Sequence, residues 1–97
     1  MVNRRGRNLT DYVIILSDKD NVATALVDLQ AGDYLFGSGE NQTTITVLED
    51  IRAGFKLALS GIGKAEPIYK YGYVIGLATV DIEKGLCVHV HNLISSV

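Results

Sequence analysis

Asp81-Ile82-Glu83-Lys84-Gly85-Leu86-Cys87-Val88 decides how this chain folds, because the same order of residues occurs twice upstream. The earlier copies are Asp28-Leu29-Gln30-Ala31-Gly32-Asp33-Tyr34-Leu35 and Asp50-Ile51-Arg52-Ala53-Gly54-Phe55-Lys56-Leu57. Each runs Asp, apolar, two variable, Gly, two variable, apolar. The glycine supplies φ > 0 for a tight turn, and the apolar residues on either side anchor both arms in a core. Ile62-Gly63-Lys64-Ala65-Glu66-Pro67-Ile68 is a degenerate fourth copy with Ala65 in the glycine's place. The copies are unevenly spaced, which argues against a solenoid. They point instead to a mainly β domain of short strands and loops.

Outward from the third copy, Gly85 to Asn92 alternates with period two. An extended strand there places Leu86, Val88 and Val90 on one face and Cys87, His89 and His91 on the other. Further strands are expected at Tyr12-Val13-Ile14-Ile15-Leu16, at Thr43-Thr44-Ile45-Thr46-Val47-Leu48, at Leu57-Ala58-Leu59 and from Tyr73 to Val80. Ser17-Asp18-Lys19-Asp20-Asn21 offers capping side chains, and Val22, Ala25, Leu26 and Leu29 follow at helical spacing, so one short helix is expected over 21–29. Gly37-Ser38-Gly39-Glu40-Asn41-Gln42 reads as a loop. It lacks the lysine-serine pair and following helix of a phosphate loop. Residues 1–11 carry no periodic apolar pattern and read as a flexible amino-terminal tail, leaving a single domain over 12–97.

A chain of 97 residues with 47% hydrophobic content and net charge −2 fits one domain whose small core leaves apolar surface for a partner or a second copy. The negative balance gives no general reason to bind nucleic acid. The basic run Asn3-Arg4-Arg5-Gly6-Arg7 reads as a solvated tail. One cysteine rules out an intrachain disulfide. Apolar runs too short for a signal peptide or a membrane span lead to the expectation of a cytoplasmic protein without membrane attachment.

Four ordered motifs resemble a known family: Asp20-Asn21-Val22-Ala23 with Ala25-Leu26; Ala53-Gly54-Phe55-Lys56-Leu57-Ala58-Leu59; Lys70-Tyr71-Gly72 with Ile75-Gly76 and Ala78; and Gly85 with Val88-His89-Val90-His91-Asn92. Over residues 13–92 the chain resembles the SAF-type domain of altronate and galactarate dehydratases. The resemblance implies a β-clip fold, and a role as the small subunit or module of a sugar-acid dehydratase, a hydro-lyase whose large catalytic partner carries the divalent-metal chemistry. The chain is also similar to the small subunit of sulfolactate sulfo-lyase. A non-catalytic carbohydrate-binding SAF module is a further alternative. At Ser17 and Phe55 the chain departs from the family pattern, which has histidine at both places, so no ligand role carries to them.

The resemblance keeps His89, His91 and Asn92 and gives Asn21 a recognition role, whereas on the residues alone Asp20 and Asn21 cap a helix. The two imidazoles either line a substrate or subunit pocket, where they contact an acid or a metal such as iron held mainly by the partner, or are hydrogen-bonded strand residues. Cys87 reads as a small buried hydrophobe, since three ligands on one short strand converge poorly. Lys56, Lys70 and Tyr71 either offer cations and a hydroxyl to an acidic substrate or cover the core amphipathically. No complete acid, base and metal set is visible, so the chain is not expected to be active alone.

Overall fold

The computed structural model describes residues 7–95 as nine short strands in three antiparallel sheets. The four-stranded sheet has the order β1 (Val13–Ile14), β2 (Val22–Ala25), β5 (Lys56–Ala58), β8 (Cys87–Val88). Strands β3 (Gly32–Phe36) and β4 (Thr43–Val47) form a hairpin, and β6 (Pro67–Lys70), β7 (Tyr73–Ala78) and β9 (Leu93–Ser95) form the third sheet. The fold is that of a small, mainly β domain, as expected.

The repeated turns hold these sheets together in pairs. Leu29 and Ile51 exchange backbone hydrogen bonds of 2.7 and 2.8 Å, and Ile62 and Ile82 do the same at 2.8 and 2.7 Å. Each aspartate of the first pair reaches across to the other turn: Asp28 accepts from Ala53 N–H at 2.9 Å and Asp50 from Ala31 N–H at 2.8 Å. In the second pair Asp81 accepts from Lys64 N–H at 2.8 Å. The opposite place is Gly61, which has no side chain to return the bond. The apolar residue that follows each of these four places, at 29, 51, 62 and 82, is buried. The repeat is therefore a device for docking turns on one another, with the aspartates satisfying amides that the tight turns leave without ladder partners.

Ala65 stands where the other copies have glycine and holds φ of 70°. That left-handed conformation costs an alanine about 1–2 kcal/mol, against an entropic penalty for glycine of about 0.5–1 kcal/mol. Ala65→Gly is therefore expected to stabilise the fold by about 0.5–1 kcal/mol, read as a rise in denaturation midpoint at constant m-value.

The four-stranded sheet separates two cores. Ala23, Ala25, Leu57 and Cys87 pack with Leu9, Val13, Leu29, Tyr34, Ile45, Val47 and Ile51 on one side. Val22, Ala58 and Val88 pack with Ile62, Ile68, Ala78 and Ile82 on the other. This arrangement overturns the expected helix over 21–29. Among the described residues the only helical segments are 3-10 turns at Leu9–Asp11 and Gly39–Asn41. A strand buried on both faces shows an apolar run rather than alternation, and the run Val22-Ala23-Thr24-Ala25 with Leu29 beyond it imitates helical spacing.

Two other expectations are corrected. The flexible lead-in does not extend to residue 11, because Leu9 is fully buried. Asn8 fixes its approach by accepting from Thr10 N–H at 3.1 Å and donating its amide to Gly37 O at 2.6 Å. Residues 1–6, with Arg4 and Arg5, lie outside the described residues. The expected strand through His91 stops at Val88: Asn92 N–H donates to His89 O at 3.1 Å, closing a turn with Val90 and His91 at its corners. Val90 is accordingly exposed rather than on a core face.

Candidate functional site

The register of the central sheet assigns the candidate residues to their faces. Lys56 pairs with Thr24 on β2 and with Val88 on β8, so Thr24 and Lys56 are neighbours on one face. Extending the same register by one residue brings Phe55 opposite His89, on the other face. Their rings stack there with centroids 3.9 Å apart and planes 14° from parallel. Nδ1 of His89 is buried without a hydrogen-bond partner among the described residues, and the residue as a whole is half-buried. His91 lies at an exposed turn corner. Sequence alternation put Cys87 and His89 on one face, as the register does, but the turn removes His91 from it.

No group of three His, Cys, Asp or Glu side chains among the described residues is placed to hold a metal. Cys87 is buried, and burial, with the Glu49 carboxylate nearby, pushes its thiol up against the opposing pull of Lys56. It remains a neutral thiol, which fits its reading as a small hydrophobe. The metal implied by the resemblance thus finds no complete donor set among the described residues.

Both asparagines of the candidate set are engaged inside the fold. Asn92 is buried, its Oδ1 accepting from His89 N–H at 3.0 Å and its Nδ2 donating to Cys87 O at 2.9 Å. Asn21 Oδ1 accepts from Tyr69 N–H at 2.8 Å, and its Nδ2 donates to Pro67 O at 3.0 Å. Asp20, read as a helix cap beside it, instead accepts from Gly72 N–H at 2.8 Å. Burial raises its carboxyl, but amides of Gly72, Tyr71, Leu16 and Ser17 outweigh that and hold it below the usual carboxylate range. Asp20 and Asn21 therefore clamp the β6–β7 hairpin. Side chains that cap helices also satisfy any bare backbone amide, so the local sequence does not distinguish the two uses.

Over the Thr24–Lys56 face the hairpin lays Lys70 and Tyr71. The Lys70 ammonium sits 4.9 Å from the centre of the Tyr71 ring, and Tyr71 Oη lies 3.5 Å from Thr24 Oγ1. Lys56 is half-buried, and its ammonium is pushed down by burial first and by the Lys70 charge second, with Cys87 opposing. No carboxylate pairs with either lysine among the described residues. Two cations and two hydroxyls from β2, β5 and the β6–β7 hairpin thus share one partly covered face. Lys56 and Lys70 were legible as candidates in the sequence. Thr24 was not, because only strand pairing places it beside Lys56.

Fold and site together define a small β-rich SAF domain. Residues 11–96 match the model of the altronate/galactarate dehydratase SAF domain, and the chain belongs to that family. It is 47% identical over 73 residues to an altronate dehydratase of Escherichia coli, covering 75% of this chain and 14% of that protein. It is 43% identical over 79 residues to an altronate dehydratase of Bacillus subtilis, covering 81% of this chain and 15% of that protein. A third relative, (2R)-sulfolactate sulfo-lyase subunit alpha of Chromohalobacter salexigens, is 32% identical over 87 residues, covering 86% of this chain and 92% of the subunit. The chain thus spans about one-seventh of the length of the dehydratases and nearly all of the sulfo-lyase subunit. No helix among the described residues is long and apolar enough to cross a membrane.

Proposed function

We propose that this chain is the substrate-facing small module of a sugar-acid dehydratase, a hydro-lyase, and that it works with a large catalytic subunit. The observation that carries this reading is the pair Lys56 and Lys70, two neighbouring ammonium groups without carboxylate partners among the described residues, set beside two hydroxyls. Two ammonium groups on one face, one of them half-buried, favour an anion placed between them. A sugar acid supplies that anion as its carboxylate. Its hydroxyls match the hydrogen-bonding capacity of Thr24 and Tyr71.

Dehydration of a hydroxy acid removes the proton beside the carboxylate and expels the hydroxyl on the next carbon, so negative charge grows on the carboxylate oxygens as the C–H bond breaks. Cations already aimed at those oxygens favour that charge more strongly than the ground state. The proton acceptor and the acid that assists the leaving hydroxyl belong to the partner. His91, exposed on its turn, is available to that partner. The exposed apolar pair Leu77 and Ile94, opposite each other on β7 and β9, gives it a surface to cover. A cytoplasmic setting fits these roles.

A second reading is the alpha-type subunit of a sulfolactate sulfo-lyase, favoured by the match over 92% of that subunit. A sulfonate is also an anion that two lysines can hold. Purification from the native host with a tagged chain should bring down a large subunit, and turnover of altronate, galactarate or sulfolactate by that complex separates the two readings. In the active complex Lys56→Met and Lys70→Met are each expected to lower kcat/KM roughly 10- to 100-fold, the loss of one charge-assisted hydrogen bond of about 1.5–3 kcal/mol, with kcat itself falling because the cations favour the transition state over the ground state. Unchanged kcat/KM in both variants would remove the lysines from the site.

A further inference from the structure

The β6–β7 hairpin turns at a residue that the turn itself disfavours. Lys70 pairs with Tyr73, so Tyr71 and Gly72 form a two-residue loop, and both have positive φ, 56° and 83°. Such a turn prefers asparagine followed by glycine, and a bulky side chain at the first corner is strained. Core packing does not compensate, since Tyr71 belongs to neither apolar cluster. The corner is nonetheless held firmly. Gly72 N–H is bound by Asp20 at 2.8 Å, and the Asn21 side chain grips Pro67 and Tyr69 on the strand leading into it. What the strained corner achieves is the placement of the phenol: its ring lies under the Lys70 ammonium and its hydroxyl faces Thr24. At 3.5 Å that hydroxyl contact is far longer than the usual 2.7–2.8 Å of an O–H···O bond, so both groups keep capacity for another oxygen.

We infer that Tyr71 is the specificity-determining residue of the Lys56–Lys70 site, held at a strained hairpin corner so that its phenol, with Thr24, binds a hydroxyl of the acid whose anionic group the lysines hold. The inference rests on the proposed anion site and deepens it. The lysines select for an anion, and the two hydroxyls select for a hydroxylated one. A site whose polar groups expect a ligand hydroxyl discriminates against anions that lack it, because those groups are then left poorly paired.

The test is titration of the full chain, followed by NMR, with altronate and with sulfate, an anion that carries no carbon-bound hydroxyl. Tyr71→Phe, which keeps the ring under Lys70, is expected to weaken altronate binding about tenfold, the value of one hydrogen bond, and to leave sulfate binding unchanged. Tyr71→Asn, the residue the turn prefers, is expected to weaken altronate binding at least as much while raising the melting temperature by about 4–8 °C. A stabilised protein that has lost selectivity is an outcome that a purely structural tyrosine does not produce. Undiminished altronate affinity in Tyr71→Phe overturns the inference, as does an equal loss toward both probes, which would mean that the phenol hydroxyl only props Lys70. An unchanged or lower melting temperature in Tyr71→Asn overturns the claim of strain. If the unaltered chain binds neither probe, or Lys56→Met weakens neither, the anion site itself falls and the inference with it. If Lys56→Met weakens both probes while Tyr71→Phe weakens neither, the inference alone falls.

Discussion

Gly85→Ala is expected to destabilise the domain by about 2–5 kcal/mol, a large fraction of the whole stability of a protein of this size. A Cβ at Gly85 would run into the carbonyl oxygen of Thr46, with Leu48 Cγ at 3.2 Å. The backbone has no room to yield, because Gly85 N–H donates to Ala58 O and Gly85 O accepts from Leu48 N–H, both at 2.9 Å. Gly85 is thus the point at which the end of the β3–β4 hairpin meets the central sheet. Overpacking contributes about 1–3 kcal/mol and the φ of +95° about 1–2 kcal/mol more. Gly54→Ala is the control. Gly54 has a similar φ of +88°, but nothing lies within 4 Å of its Cβ position, so only the conformational cost of about 1–2 kcal/mol remains. Urea denaturation of the two variants side by side decides the point, and equal losses would show that steric exclusion at Thr46 is not the reason for glycine at 85.

Asn92→Ala is expected to cost about 2–4 kcal/mol, because truncation strands two backbone groups at once, the buried Cys87 O and the half-buried His89 N–H. The loss falls on the turn that ends β8 and starts β9. Asn92 O also accepts from Thr79 N–H at 3.0 Å, so the turn ties two sheets together. Asn92→Asp separates the two bonds. The carboxylate still accepts from His89 N–H but meets Cys87 O with like polarity, whereas the protonated acid can donate to it. Burial and this carbonyl raise the folded-state pKa of the new carboxyl above its unfolded value near 3.9. Its contribution is therefore present below the unfolded value and is lost as pH rises through the folded one. Denaturation midpoints of Asn92→Asp measured against pH should fall across that window relative to the parent. A flat difference would show that donation to Cys87 O contributes nothing.

Asn92 also illustrates how far the sequence alone can assign a role. A polar residue beside two histidines, in a motif shared with the family, reads as a ligand for substrate, yet its amide is consumed by the chain's own turn. The preference of asparagine for turns and its preference for ligands spring from the same pairing of donor and acceptor on a short side chain. Only burial tells the two apart. Asn21 and Asp20 raise the same ambiguity, and there too the tertiary contact, with a hairpin some fifty residues away in sequence, supplies the answer.

The sequence by itself determined the mainly β character, the glycine turns at Gly54 and Gly85 and the buried cysteine, and it put Lys56 and Lys70 among its candidates. These are local matters. A glycine that must take positive φ or a β-branched run carries its meaning within a few residues. The tertiary structure alone decided that Val22–Ala25 is a central strand, that Leu9 belongs to the core, that His89 lies against Phe55 while His91 leaves the strand, and that Thr24 joins Lys56, Lys70 and Tyr71. Each depends on pairing between segments remote in sequence. A strand covered on both faces loses the alternation that would announce it, and a face shared by three elements has no signature in any one of them.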